Sequence, residues 1–270
     1  MGGGFLKIKR LLFLFIIIIS VCSCSNQKNN ISTISSEVSK FDISCKYDIF
    51  DVCIDNAGKF YVADKDTIRI FNDKWKEIGQ INNNLNFCTS VCVGGGSVYA
   101  YDNSDSKVKV FDIKGNFIET IEINDISRVK KIEFADGKLV FYRPNDTNLI
   151  IYDIKSKTTQ KVPIDNIAGI SRYKNNKLLV YKRSSDLMEK YISVYDFDSN
   201  NIIENYKIDR AINGFTYSGN DDTIYFFSNG NVYKYKLNGT IDPILRSNND
   251  TFNIILSYED SCYVIDVKNK

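Results

Sequence analysis

Residues 52–71, VCIDNAGKFYVADKDTIRIF, hold three short apolar runs separated by two turns. Val52-Cys53-Ile54 is followed by a turn at Asn56-Ala57-Gly58, then Phe60-Tyr61-Val62-Ala63, a polar break at Asp64-Lys65-Asp66, and Ile68 to Phe71. Runs of this length bounded by Gly, Asn and Asp read as three strands of an antiparallel meander. The pattern returns in different letters over residues 91–111, VCVGGGSVYAYDNSDSKVKVF.

Two markers carry the repeat along the chain. The centre of the second strand recurs at Val62, Ala100, Phe141, Val180, Phe226 and Val264, in steps of 38, 41, 39, 46 and 38. The aromatic that ends the third strand recurs at Phe71, Phe111, Tyr152, Tyr195 and Tyr235, in steps of 40, 41, 43 and 40. A polar turn and a further apolar segment follow each aromatic, as in Phe117 to Ile123 and Ile202 to Ile208. Four strands in about 40 residues is the period of a β-propeller blade. A lone four-stranded sheet cannot cover both its faces, so the units are expected to stack around an axis.

The repeat resembles the NHL type of six-bladed propeller, in which an aliphatic-x-aliphatic-Asp strand, a Gly turn, Tyr-Val-Ala-Asp and aliphatic-x-Phe-Asp-x-x-Gly follow one another. Val52-Cys53-Ile54-Asp55, Gly58, Tyr61-Val62-Ala63-Asp64, Val110-Phe111-Asp112 and Gly115 carry the likeness. It extends over residues 47–270, close in the first two units and looser later, where Leu178-Leu179-Val180-Tyr181 lacks the Asp. The resemblance implies an all-β, six-bladed β-propeller of four-stranded antiparallel blades over residues 41–270. The sixth unit holds only Phe252 to Ser257 and Cys262 to Val267, so an N-terminal strand from Val38 to Ile49 is expected to complete it and close the open edge. That closure would bring Cys45 near Cys262, a candidate disulfide in an exported protein. Sequence leaves the alternative of two unpaired thiols open.

The N-terminus reads as an address. A basic segment, Lys7 to Arg10, precedes an apolar stretch from Leu11 to Val21, too short to span a bilayer as a helix and suited to a signal-peptide core. It ends in Val21-Cys22-Ser23-Cys24-Ser25, which resembles the bacterial lipobox and makes Cys24 the expected lipidation site. Residues 1–23 are then a lipoprotein signal peptide and 24–40, rich in Asn, Ser and Lys, a flexible tether. The expected location is the bacterial cell envelope, with a lipid anchor of the palmitate type as the membrane contact.

Composition narrows the function classes. The formal net charge of +2 falls to −1 once the three basic residues Lys7, Lys9 and Arg10 are removed, which gives no footprint for nucleic acid. The chain contains no histidine, which removes the commonest general base and zinc ligand. No nucleophile-and-base set, cofactor motif or metal-ligand spacing is legible. Asp102-Asn103-Ser104-Asp105 lacks the spacing of a calcium loop and reads as a polar turn. Gly94-Gly95-Gly96 has no following Lys-Ser/Thr and reads as a hairpin turn. Cys53 and Cys92 occupy equivalent first-strand positions and read as core, and Trp75 as packing.

Propeller loops that join second to third strands share a face with those that join the blades, and this face is the usual place for binding. Here it collects Asp64, Asp102, Arg143, Arg183 and Arg210, with the arginines able to receive an anionic group through forked hydrogen bonds. The leading expectation is a membrane-anchored, non-catalytic module that binds a protein, peptide or glycan. Two alternatives stand beside it: a carboxylate- or metal-assisted hydrolase or lyase, for which the first strands offer Asp55 and Glu133, and a structural component of an envelope assembly.

Overall fold

The computed structural model describes residues 14–20, 37–41 and 48–267, apart from 145, 175, 185, 187, 238, 247–251 and 260. Cys24, Cys45 and the tether therefore lie outside the described residues, save for residues 37–40. Every regular element among the described residues is a β-strand.

Five four-stranded antiparallel sheets are each built from consecutive strands. Blade 1 comprises Asp51–Ile54, Phe60–Asp64, Thr67–Phe71 and Glu77–Ile81; blade 2, Cys88–Gly94, Ser97–Asp102, Lys107–Asp112 and Phe117–Ile121. Blade 3 comprises Lys131–Ala135, Lys138–Tyr142, Asn148–Asp153 and Thr158–Pro163; blade 4, Ile167–Arg172, Lys177–Arg183, Lys190–Asp196 and Asn201–Ile208. Blade 5 comprises Gly214–Ser218, Thr223–Ser228, Asn231–Lys236 and Ile241–Arg246. All six second-strand markers and all five third-strand aromatics fall on the strands they were expected to mark.

A last sheet pairs Phe252–Tyr258 with Ser261–Val267 and then runs through Leu14–Ser20 to Glu37–Phe41. The first strand of each blade touches that of the next, and Phe252–Tyr258 touches both Gly214–Ser218 and Asp51–Ile54. The first strands thus close a ring around the axis of a β-propeller.

The last sheet departs from expectation in its third strand. Within the described residues of the segment expected beside the final hairpin, Glu37–Phe41 lies at the outer edge, and Leu14–Ser20 pairs directly with Ser261–Val267. A run of β-branched residues suits an inner strand, whereas Glu-Val-Ser-Lys-Phe carries the charges that suit an edge. Cys262 is a free, buried thiol, and Cys45, its expected partner, lies outside the described residues.

Six apolar clusters fill the structure, one in each seam between neighbouring sheets. In the seam between blade 1 and the last sheet, Trp75 lies 4.1 Å from Phe60 and 6.1 Å from Tyr263, ring centre to ring centre. The acidic residues of the repeat motif serve the turns. The Asp112 carboxylate accepts the amides of Lys114 and Asn116 at 2.9 and 2.8 Å, and Gly115 follows at φ +91°, a conformation open to glycine. Asp55 does the same for the amides of Ala57 and Lys59, both at 2.9 Å.

Candidate functional site

The strand register defines what faces the axis. Val52, Val91, Ile132, Ile170, Phe215 and Ile255 pair with the six second-strand markers, so they are equivalent positions of the ring. Side chains alternate along a strand, so the residues just before and just after these share the opposite face. Those after are Cys53, Cys92, Glu133, Ser171, Thr216 and Leu256, and all six line a cavity of about 390 Å³ at one end of the axis. Those before are Asp51, Ser90, Lys131, Gly169, Gly214 and Ile254, and all but Ser90 line a cavity of about 140 Å³ at the other end. Lys131 borders both cavities and separates them.

A polar network holds the axis together there. The buried Asp51 carboxylate accepts the Ser90 hydroxyl at 2.5 Å, the Val91 amide at 3.1 Å and the Lys131 ammonium at 3.1 Å. The Ser90 hydroxyl in turn accepts the Ile132 amide at 2.9 Å, so one network spans blades 1, 2 and 3. Lys131 also lies 3.6 Å from a Glu133 oxygen. Burial works against the Lys131 charge, but Asp51 and Glu133 outweigh it and hold its pKa above the usual lysine range. Burial raises the Glu133 pKa, against the opposing pull of Lys131 and Arg172. Burial also drives the Cys53 and Cys92 thiols well up, so both stay protonated at neutral pH.

The larger cavity widens among turns that join first to second strands. Its wall carries Phe134, Tyr173, Tyr217 and Tyr258, with Asp55, Lys174 and Glu259 at the mouth. Lys174 is committed to Asp222 at 2.9 Å and lies over the Tyr173 ring. Between blade 5 and the last sheet, Thr216 and Ser257 are 3.3 Å apart and Ser257 donates to the Tyr217 carbonyl at 2.5 Å. Arg172 is exposed and lines this cavity; its carbonyl accepts the Ser171 hydroxyl, while its guanidinium makes no hydrogen bond or ion pair among the described residues.

The residues nominated from sequence sit on the opposite face and do not converge. Asp64 and Asp102 are buried. Asp102 accepts the amides of Asn86 and Phe87, at 2.7 and 3.1 Å, in the loop that joins blades 1 and 2. Arg143 bonds Asp146 and the Asp125 carbonyl within its own surroundings. Arg210 donates to the Tyr233 hydroxyl at 3.0 Å and lies over its ring, while Arg183 is exposed. None of these five lines either axial cavity.

Sequence reasoning missed Asp51, Ser90, Lys131 and Arg172. Aligning the six first strands on Val52 and its equivalents, then reading the flanking columns, would have found the first three. Of the two acids noted, Glu133 faces the cavity and Asp55 is committed to its turn. Among the described residues no group of three or more His, Cys, Asp or Glu is placed to hold a metal ion.

No protein-family model and no curated protein matches the chain. Solved structures do share its shape. A streptogramin B lyase structure superposes with a TM-score of 0.62 at 10% identity, covering 87% of this chain and 84% of that one. Virginiamycin B lyase from Staphylococcus aureus gives 0.59 at 15% identity over 81% and 78%, and hydrazine synthase from Kuenenia stuttgartiensis gives 0.57 at 12% over 76% and 68%. At such identities the likeness establishes the β-propeller fold and leaves function to the site.

Proposed function

We propose that the chain is a lipid-anchored envelope protein whose NHL-type, six-bladed propeller binds a protein, peptide or glycan without chemically altering it. The observation that carries this reading is the state of the axial groups. Lys131 is held between Asp51 and Glu133, and the Cys53 and Cys92 thiols, one partly and one fully buried, are held protonated, so the groups at hand for breaking a bond are engaged in structure. Under this reading, processing before Cys24 removes Leu14–Ser20 and leaves Glu37–Phe41 as the N-terminal strand available to the last sheet.

Glu133 favours a second reading. A partly buried acid with a raised pKa can hold a proton for transfer, and streptogramin B lyases share the fold. One experiment separates the two. The protein is incubated with a pool of envelope-derived peptides and oligosaccharides, and both bound and free fractions are analysed by mass spectrometry. Enrichment of intact molecules is expected. Time-dependent cleavage products that vanish in Glu133→Gln would establish the lyase or hydrolase reading instead, and no enrichment would overturn binding. Labelling with a radioactive fatty acid, expected in the wild type and lost in Cys24→Ser, tests the anchor.

A further inference from the structure

The larger axial cavity is lined by one cation whose side chain has no hydrogen-bond or ion-pair partner among the described residues, though it acts on Glu133 through space. Lys131 is neutralised by two carboxylates and Lys174 by Asp222, whereas the Arg172 guanidinium is exposed to the cavity and unpaired among the described residues. A guanidinium offers forked donors matched to a carboxylate, and in a concave, partly apolar site such a pair is stronger than on an open surface. Around it stand the hydroxyl residues Ser171, Thr216 and Ser257 and the aromatic wall of Phe134, Tyr173, Tyr217 and Tyr258. The volume of about 390 Å³ is at the small end of ligand sites and suits a chain end or small molecule, not a folded surface.

We propose that this cavity receives the C-terminal end of a peptide, with its free carboxylate on Arg172 and an apolar or aromatic last side chain against the tyrosines. Carboxylate is favoured over phosphate because Glu133 lies in the same cavity and Glu259 at its mouth, and a dianion would face both acids with one free cation to compensate. Asp55 adds little repulsion, since its oxygens are taken by the amides of Ala57 and Lys59 and by the Tyr61 hydroxyl. The inference rests on the binding reading above and gives it a ligand class. It also moves the anion subsite from the Arg143, Arg183 and Arg210 face to the opposite end of the axis.

The test uses the purified full chain and a pool of tripeptides ending in Phe, Leu or Ala, each as the free acid and as the C-terminal amide. The free acids with Phe or Leu should bind about 10- to 100-fold more tightly than their amides, the range for loss of a charge-assisted hydrogen-bond pair. Arg172→Gln should abolish this preference while leaving the thermal midpoint unchanged, and Arg183→Gln, on the other face, should retain it. Equal binding of acid and amide by the wild type, or an acid preference that survives in Arg172→Gln, overturns the carboxylate subsite and leaves the binding reading standing. Failure of every tripeptide to bind, with envelope oligosaccharides still enriched, overturns the peptide assignment. Failure of both pools overturns the binding reading as well.

Discussion

The Asp51 carboxylate accepts the Ser90 hydroxyl at 2.5 Å across the seam between blades 1 and 2, and the same carboxylate holds Lys131 of blade 3 at 3.1 Å. Three blades are tied at the axis by one side chain that is only 7% exposed. Truncation by Asp51→Ala leaves a half-buried ammonium and two donors without their acceptor. We expect a loss of about 3–5 kcal/mol, the range for breaking a buried ion pair from one side. Ser90→Ala should cost about 1–3 kcal/mol, and the double variant less than the sum of the two, because the sites share one network. Urea midpoints of the four proteins measure this; strict additivity would contradict the shared network.

Asp102 ties the loop between blades 1 and 2 and makes stability depend on pH. Burial pushes its pKa up, but hydrogen bonds from Ser104 and from the amides of Asn86 and Phe87 outweigh this and hold it below the usual carboxylate range. A group with a depressed folded pKa contributes stability that is present above the unfolded pKa and lost as pH falls through the folded one. Asp102→Asn should therefore cost about 1–3 kcal/mol at pH 7, and the gap to wild type should close below about pH 4. Thermal midpoints from pH 7 to pH 2.5 test it. A gap that persists undiminished at the acid end would mean that the carboxylate charge is not what the loop uses.

Gly94 is where blade 2 meets an aromatic side chain of blade 3. A Cβ at this position would fall 1.9 Å from the Phe134 ring, which stacks on Tyr99 at 5.8 Å. Gly94→Ala is expected to destabilise by about 1–3 kcal/mol through overpacking. Adding Phe134→Leu should recover much of that loss in a double-mutant cycle. No recovery would place the cost in the Gly94 backbone itself.

The thiols differ in access more than in chemistry. Cys88, Cys92 and Cys262 are buried, Cys53 is partly exposed in the axial cavity, and burial raises the pKa of all four. A thiol-specific chromogenic reagent at pH 7 should modify Cys53 slowly and the other three only after denaturant is added. Peptide mapping that recovered a Cys45–Cys262 bridge would overturn the free state of Cys262.

Trp75 reports on the closing seam. It packs on Tyr263 of the last sheet and on Phe60 and Phe71 of its own blade, and the chain has no other tryptophan, so a change at this seam registers in its fluorescence. Under the proposed processing before Cys24, further deletion of residues 25–41 should expose the edge of Ser261–Val267, shift the emission to the red and promote self-association. An unchanged spectrum and thermal midpoint would show that Glu37–Phe41 adds nothing to the sheet.

The propeller was legible in the sequence because its cause is local. Apolar alternation, turn residues and a period near 40 are all written into neighbouring positions, and Asp112 with Gly115 marks a turn whose hydrogen bonds close within five residues. The leader-like stretch was equally visible, though its pairing with Ser261–Val267 was not. The site was decided by the tertiary structure. Asp51, Ser90, Lys131 and Arg172 come from four separate repeats, and no single repeat shows that its first strand turns a charge toward a shared axis. Closing the ring brings them together, pairs Lys131 with its two carboxylates and leaves the Arg172 guanidinium without an ion pair among the described residues. The motif acids Asp64 and Asp102, conspicuous in the sequence, are buried in the fold instead, and Asp102 accepts backbone amides at a blade junction that would otherwise lack a partner.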